Sequence, residues 1–351
     1  MEILFLGTSA AVPSKDHSTS CIALRSGSDI ILLDCGEGSQ RQLMLSPFSF
    51  MKIRAVLITH LHGDHVFGLP GLLQTMSLSN RADPLLVCGP PGTAHAIDAI
   101  MSVTEGETQY PVEVLEVSGG EDLDVRGMSV RPYATDHGIA SVGYVVQDRD
   151  RPGRLDAEKA RALGITSGRD MARLKGGEPV GGVRPEDVVG PTIPGYRIAY
   201  SGDTRPCSTE DEAVRGADVI IHEATYMDSE SQQAHEHFHT TARQAGEVAR
   251  DAGARYLILT HISNRYDDRA AVADEARLVF PETHVAEDMQ MYRISGAGLC
   301  ADARLRGQIS LSMSALVIRP TIFPFLDTST APLLLINEVT DDTGVLSDTT
   351  G

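Results

Sequence analysis

The hexapeptide His60-Leu61-His62-Gly63-Asp64-His65 constrains this chain more than any other feature, because it follows directly on the β-rich run Ala55-Val56-Leu57-Ile58-Thr59. A strand ending in such a turn sets three imidazoles and a carboxylate at the edge of a sheet, where they can converge on a cation. Neutral imidazole and carboxylate are the ligands a divalent metal such as zinc accepts when no thiolate is on offer. The competing reading is a solvated polar turn, and a pattern this dense in ligating side chains weighs against it. One tetrahedral ion cannot be reached comfortably by His60, His62, Asp64 and His65 together, so two metals are implied and further ligands must come from elsewhere. The candidates are His137 in Thr135-Asp136-His137-Gly138, Asp203 in Ser201-Gly202-Asp203-Thr204 and His261 in Leu259-Thr260-His261, each after an apolar or β-rich run. Asp203 is the natural shared ligand, since a carboxylate can bridge two cations and a neutral imidazole cannot.

With 351 residues, 42% of them apolar, the chain can bury a sizeable core. No apolar run reaches the roughly 18–20 residues a bilayer demands, and Met1 leads into Glu2-Ile3-Leu4 without a basic leader, so the expectation is a soluble cytoplasmic protein with no membrane contact. Five cysteines with no C-x-x-C pair suggest neither a disulfide framework nor a zinc ribbon and read as small core residues. Short β segments alternate with helices up to about residue 147 and again from Tyr196; among them residues 2–6, 22–25, 30–33, 53–59 and 256–259 read as strands, and 69–78, 241–251 and 269–279 as helices. Between the two halves, residues 148–194 are rich in Gly, Pro and Arg and poor in periodic apolar residues, which suggests a flexible insertion. Beyond Ser295 the chain reads as an appended segment, apolar at 316–325 and acidic toward its end.

The net charge of −18 argues, on composition alone, against a partner as anionic as nucleic acid. The 30 basic residues include four lysines, Lys15, Lys52, Lys159 and Lys175, and such an acidic, Lys-poor surface suits a salty cytoplasm. A whole-chain sum says nothing of local field, however. Residues 148–175 hold eight Arg or Lys against five Asp or Glu, counter to the trend.

The order His60-x-His62-x-Asp64-His65, His137, Asp203, His261 resembles the metallo-β-lactamase superfamily. Finer motifs, Phe5-Leu6-Gly7-Thr8-Ser9, Asp34-Cys35-Gly36-Glu37-Gly38, Gly202-Asp203-Thr204-Arg205-Pro206, His222-Glu223-Ala224-Thr225 and His239-Thr240-Thr241, resemble the ribonuclease Z family, from Met1 to about Arg293. The resemblance implies an α/β fold, an αβ/βα four-layer sandwich with a protruding arm and metals between the sheets at one edge. Residues 1–294 would form the catalytic domain, 148–194 a flexible tRNA-binding arm, and 295–351 a C-terminal extension with no assigned role. By the same resemblance His60, His62 and His137 hold one Zn²⁺, Asp64, His65 and His261 the other, and Asp203 bridges; Mn²⁺ or Fe²⁺ would accept the same ligands. Asp64 doubles as base, His239 is the proton donor rather than its rivals His235 and His237, Glu223 orients and charges it, and His222 is a core histidine. The partners implied are precursor tRNA, cleaved to leave a 3′-hydroxyl on the tRNA and a 5′-phosphate on the trailer, and a second copy of the chain. Two departures stand out: Pro13-Ser14-Lys15-Asp16-His17-Ser18 keeps the family's lysine, a substrate contact, but not its following Arg-Asn, and Gly168-Arg169 replaces a Gly-Pro step in the arm. A phosphodiesterase acting on small or cyclic diesters is the alternative on the same fold. Thiolester hydrolysis has no support beyond the shared motif, and a dead, RNA-binding relative would have lost ligands.

Overall fold

The computed structural model describes residues 1–103 and 107–302; the apolar tail segments noted above lie outside them. Fifteen strands follow in chain order: β1 (Glu2–Gly7), β2 (Cys21–Ser26), β3 (Asp29–Leu33), β4 (Ile53–Leu57), β5 (Leu85–Gly89), β6 (Val112–Glu116), β7 (Leu123–Val125), β8 (Met128–Ala134), β9 (Val142–Gln147), β10 (Arg197–Tyr200), β11 (Val219–Glu223), β12 (Tyr256–Thr260), β13 (Thr283–Val285), β14 (Met291–Ser295) and β15 (Gly298–Ala301). They form an eight-stranded sheet, β15-β14-β1-β2-β3-β4-β5-β6, and a seven-stranded sheet, β13-β12-β11-β10-β9-β8-β7. Each sheet is antiparallel at one end and parallel at the other, across β3 to β6 in the first and β10 to β13 in the second.

Alternation along the strands creates the layers, because successive side chains point to opposite faces. In β1, Ile3 and Phe5 enter a core shared with Tyr144, Ile198, Tyr200 and Ile258 of the second sheet. Leu4 and Leu6 turn the other way and pack with Leu69, Leu72 and Met76 of the helix Leu69–Leu78. In the second sheet Ala199, Ile220 and Leu257 face Ala245 and Ala249 of the helix Ala242–Asp251. Helix, sheet, sheet, helix is therefore the order of the layers, the expected αβ/βα sandwich. The expected helices at 69–78, 241–251 and 269–279 form as Leu69–Leu78, Ala242–Asp251 and Arg269–Arg277; the helices Ser39–Leu45 and Thr93–Val103 were not foreseen.

The insertion has more internal structure than its composition suggests. Helices Ala157–Ala162, Gly168–Lys175 and Pro185–Val188 enclose a core of Ala160, Ile165, Leu174, Val183 and Val188. These five lie far apart in sequence, so no periodic pattern announces them. Paired backbone hydrogen bonds between Arg151 and Ile193 (2.8 and 2.9 Å) close the stem. A Cβ on Gly153 would sit 2.1 Å from the Gly190 carbonyl oxygen, so glycine is what lets the two strands of the stem meet. The expected domain end at residue 294 falls inside the β14–β15 hairpin, and the compact unit takes in β15.

Candidate metal centre and catalytic residues

The site lies where parallel strands end, the usual place for a cleft in an open α/β sheet. The β4 chain runs through Thr59 into the turn bearing His60 and His62, and Asp64 and His65 ride on the short helix Gly63–Val66. His137 follows β8, Asp203 follows β10, Glu223 ends β11 and His261 follows β12.

The seven expected ligands converge. His60 Nε2 is 3.0 Å from His62 Nδ1, which is 3.3 Å from His137 Nε2. His65 Nε2 and His261 Nε2 are 3.3 Å apart, and Asp64 Oδ2 is 3.5 and 3.4 Å from them. Asp203 Oδ2 lies between the two groups, 3.7 Å from His60 Nε2 and 3.6 Å from His65 Nε2. Ligands about 2.0–2.1 Å from a tetrahedral ion are about 3.3–3.4 Å apart along each edge, so these separations fit donors sharing a coordination shell. Asp203 Oδ1 fits too, as a buried carboxylate oxygen without a hydrogen bond. A metal cofactor is therefore part of this protein's chemistry.

Hydrogen bonds on the far side of four of the five rings leave the inward nitrogen free to ligate. His65 Nδ1 donates to Asp34 Oδ2 (2.8 Å), His60 Nδ1 to Thr59 Oγ1 (3.0 Å), His137 Nδ1 to the Phe238 carbonyl (3.1 Å) and His261 Nδ1 to Thr225 Oγ1 (2.9 Å). Burial pushes His60 well below the ordinary imidazole range, and the partial desolvation of His62 on the rim, with His137 beside it, lowers that ring too, which suits neutral ligands. Burial would also lower His65, but Asp203 and Asp34 outweigh it and hold the imidazole well above its usual value. Burial alone would raise the carboxyls of Asp64 and Asp203; the imidazoles around them hold both well below the carboxylate range.

Glu223 and His239 stand beside the cluster. His239 Nδ1 donates to Glu223 Oε1 at 2.9 Å, and Glu223 also accepts from Thr204 N (2.8 Å) and Thr225 Oγ1 (2.6 Å). Against the desolvation that would lower it, Glu223 and then Asp203 raise His239 to about 9, which favours the imidazolium. His239 Nδ1 is 4.0 Å from Asp203 Oδ2. Its rivals face elsewhere: His235 is exposed against Arg205, and His237 accepts from Tyr226 OH. His222 points to the opposite face of β11, toward Glu210. Lys15 does not join the cluster. It is exposed on the loop between β1 and β2, whose Ala11 N donates to Asp64 Oδ2 at 2.9 Å.

Sequence reasoning gave no role to Asp34, which is buried and accepts from Thr59 N, Tyr200 OH and His65 Nδ1, thereby tying the two sheets and a ligand together. A lone acid after a strand has no spacing signal; its place in Asp34-Cys35-Gly36-Glu37-Gly38 was the available clue. Thr225, which links Glu223 to His261, was hidden in the same way inside His222-Glu223-Ala224-Thr225.

Comparison with known proteins agrees with this arrangement. A profile described as beta-lactamase superfamily domain matches residues 163–262, and one described as anti-Pycsar protein Apyc1 matches residues 1–97. The chain resembles the structure of human tRNase Z, short form, with a TM-score of 0.63 and 28% identity, covering 84% of this chain and 100% of that one. It is 41% identical over 304 residues to Ribonuclease Z of Salinibacter ruber, covering 84% of this chain and 94% of the relative. It is also 41% identical over 298 residues to Ribonuclease Z of Methanothermobacter thermautotrophicus, covering 84% and 97%. Similarity of this degree across almost the full length of these relatives means that the chain belongs to the ribonuclease Z family, on the metallo-β-lactamase fold.

Proposed function

We propose that the chain is an endoribonuclease that removes the 3′ trailer from precursor tRNA, using two zinc ions with Asp203 shared between them. The observation that carries this reading is the convergence of seven ligands beside a charged Glu223–His239 pair. When bound, the cations lower the pKa of water toward neutrality and offset charge that builds on the scissile phosphate. The chain's own groups manage the protons. Asp64 takes the proton of the attacking water as its oxygen bonds to phosphorus. The bond from phosphorus to the 3′ oxygen breaks, and His239, kept charged by Glu223, protonates the leaving oxygen. The products are a 3′-hydroxyl on the tRNA and a 5′-phosphate on the trailer.

The arm supplies what a small diester does not need. Arg154, Lys159, Arg161, Arg169 and Lys175 are exposed on it, and structured RNA is gripped mainly by shape and backbone. Lys15, on the rim loop, meets RNA near the scissile bond. The working form is a cytoplasmic homodimer; no helix of the described residues is long and apolar enough to cross a membrane. The test is to digest one precursor tRNA and, in parallel, a chromogenic phosphodiester, with and without chelator. We expect chelator-sensitive cleavage of both and the stated ends. Hydrolysis of the small diester without cleavage of the precursor would sink the tRNA reading in favour of a small-diester phosphodiesterase.

A further inference from the structure

The seven ligands are not equally secured. His60, His65, Asp203 and His261 are buried, whereas His62 is exposed and His137 half-exposed on the rim of the cleft. Packing cannot fix a rim ligand, so another restraint must hold His137.

Arg205 sits where that restraint is needed. Its Nε and Nη2 donate to the two carboxylate oxygens of Asp136, the residue before His137, at 3.0 and 3.1 Å. Backbone reinforces the pair, with Arg205 N donating to Asp136 O at 2.9 Å and Asp136 N to Thr204 Oγ1 at 3.0 Å. The same guanidinium lies 4.3 Å above the Phe238 ring and donates through Nη1 to the His235 carbonyl at 3.3 Å. Phe238 has φ +61°, a left-handed conformation that a bulky side chain adopts at a cost, and its carbonyl accepts from His137 Nδ1 at 3.1 Å. Arg205 therefore joins three segments: its own, which carries Asp203; the 135–138 turn, which carries His137; and the 235–240 loop, which carries His239. Both donors of the fork are occupied by Asp136, and one face of Phe238 by the guanidinium.

We propose that Arg205 is a positioning residue that holds His137 and His239 in register through Asp136 and Phe238. This deepens the endonuclease reading and rests on it for the reaction, but not for the metal. A bidentate, stacked site suits arginine and not lysine, whose ammonium is a single point charge. The side chain is thus distinguished from one that meets RNA phosphate, where lysine would serve.

The experiment compares wild type with Arg205→Lys, Arg205→Ala, Asp136→Ala and the double alanine variant. Zn²⁺ alone is titrated into apo protein against a chelating competitor, kcat and KM are measured on precursor tRNA and on a chromogenic phosphodiester, and thermal melts of apo protein check folding. Loss of a group that orients a metal ligand typically costs about 10–100-fold, so we expect one zinc to bind about 10–100-fold more weakly in Arg205→Ala, with kcat lower on both substrates and KM for tRNA little changed. Arg205→Lys should not rescue, and the double variant should be no worse than either single one, as for groups that act as a unit. Unaltered zinc affinity in Arg205→Ala, rescue by Arg205→Lys, or a rise in KM for tRNA alone would overturn the proposal. Should wild type cleave the small diester but not the precursor, the endonuclease reading fails, while zinc affinity and small-diester kinetics still decide the role of Arg205.

Discussion

At the metal cluster, ligands from four separate segments are fixed by buried hydrogen bonds from both sheets, whereas the arm leaves the body through a stem of backbone bonds and closes on five buried apolar side chains. Backbone strain divides the same way. Ala11, Asp34, Phe238 and His261, all touching the cluster, take φ values of 58, 57, 61 and 53° without being glycine. Such conformations cost on the order of 1–3 kcal/mol each and persist only where the surroundings over-determine them. In the arm the left-handed turns fall to glycines such as Gly164 and Gly177. The cluster sacrifices stability for atomic placement; the arm needs a shape and a charge, and carries no such strain.

The largest test of that division is Asp203→Ala. A carboxylate between two groups of ligands is shared by both, so metal should be lost from both, with kcat/KM lower by on the order of 10⁴-fold on any substrate. Metal analysis of the purified variant decides it, because one ion retained at full affinity means Asp203 is not shared. His239→Ala comes next. Losing a proton donor costs about 10²–10⁴-fold in rate, while both metals stay bound; loss of metal would show His239 to be a ligand and end its assignment as donor.

The same division explains what the sequence disclosed. His60, His62, Asp64 and His65 are legible because adjacent ligands on one turn leave a local pattern, and strand ends offered His137, Asp203 and His261 as partners. Which ligand goes with which metal, and the choice of His239 over His235 and His237, came from resemblance rather than spacing. Asp34 was not legible as a partner of His65, since 31 residues separate them and the bond exists only across the fold. Arg205 was silent for the same reason, its partners lying 69 residues before it and about 30 after. The arm's core was invisible because Ala160, Leu174 and Val188 sit on short helices and Ile165 and Val183 on the turns between them, so no periodic pattern is completed. Its place was legible in composition, and the expectation that it grips tRNA came from the resemblance.

Removing the arm separates recognition from chemistry. Arg151 and Ile193 are already paired, so a tight turn can replace residues 152–192 without moving the body. We expect KM for precursor tRNA to rise by about 10–100-fold, equivalent to about 1.4–2.8 kcal/mol of binding, with small-diester hydrolysis unchanged. Equal tRNA affinity would reduce the arm to a surface insertion. A milder version is Leu174→Ala, which empties the centre of the arm's core. Such truncations cost about 2–5 kcal/mol, more than so small a core can spare, so hydrogen exchange should accelerate across the arm alone while the main thermal transition stays in place. A shift of the main transition would show that arm and body unfold as one unit.

The smallest expected effect concerns the two faces of β11. Glu223 faces the cluster, while His222 turns to the helix Ser208–Ala213, where its Nε2 lies 3.1 Å from Glu210 Oε1 with both residues fully buried. Burial would lower this imidazole, but Glu210 outweighs it and raises His222 to about 8 from an ordinary 6.5. A pKa raised in the folded state gives stability that is complete below the unfolded value and lost as pH rises through the folded one. The contribution of His222 to the unfolding free energy should therefore fall by about 2 kcal/mol as pH rises from below 6.5 to above 8, the equivalent of the difference between those values. The arm has no counterpart: Arg173–Glu178 and Arg184–Asp187 are exposed pairs, and such pairs are worth little. His239, raised to about 9, and His65, also raised, lose stability over the same range, so the difference between proteins reads His222. The unfolding free energy measured in urea should fall by about 2 kcal/mol more in wild type than in His222→Gln, while exchange in the arm stays flat. An equal pH dependence in wild type and His222→Gln would show that His222 does not contribute to it, and one appearing in the arm would break the contrast between a body that holds buried charge and an arm whose charges are exposed.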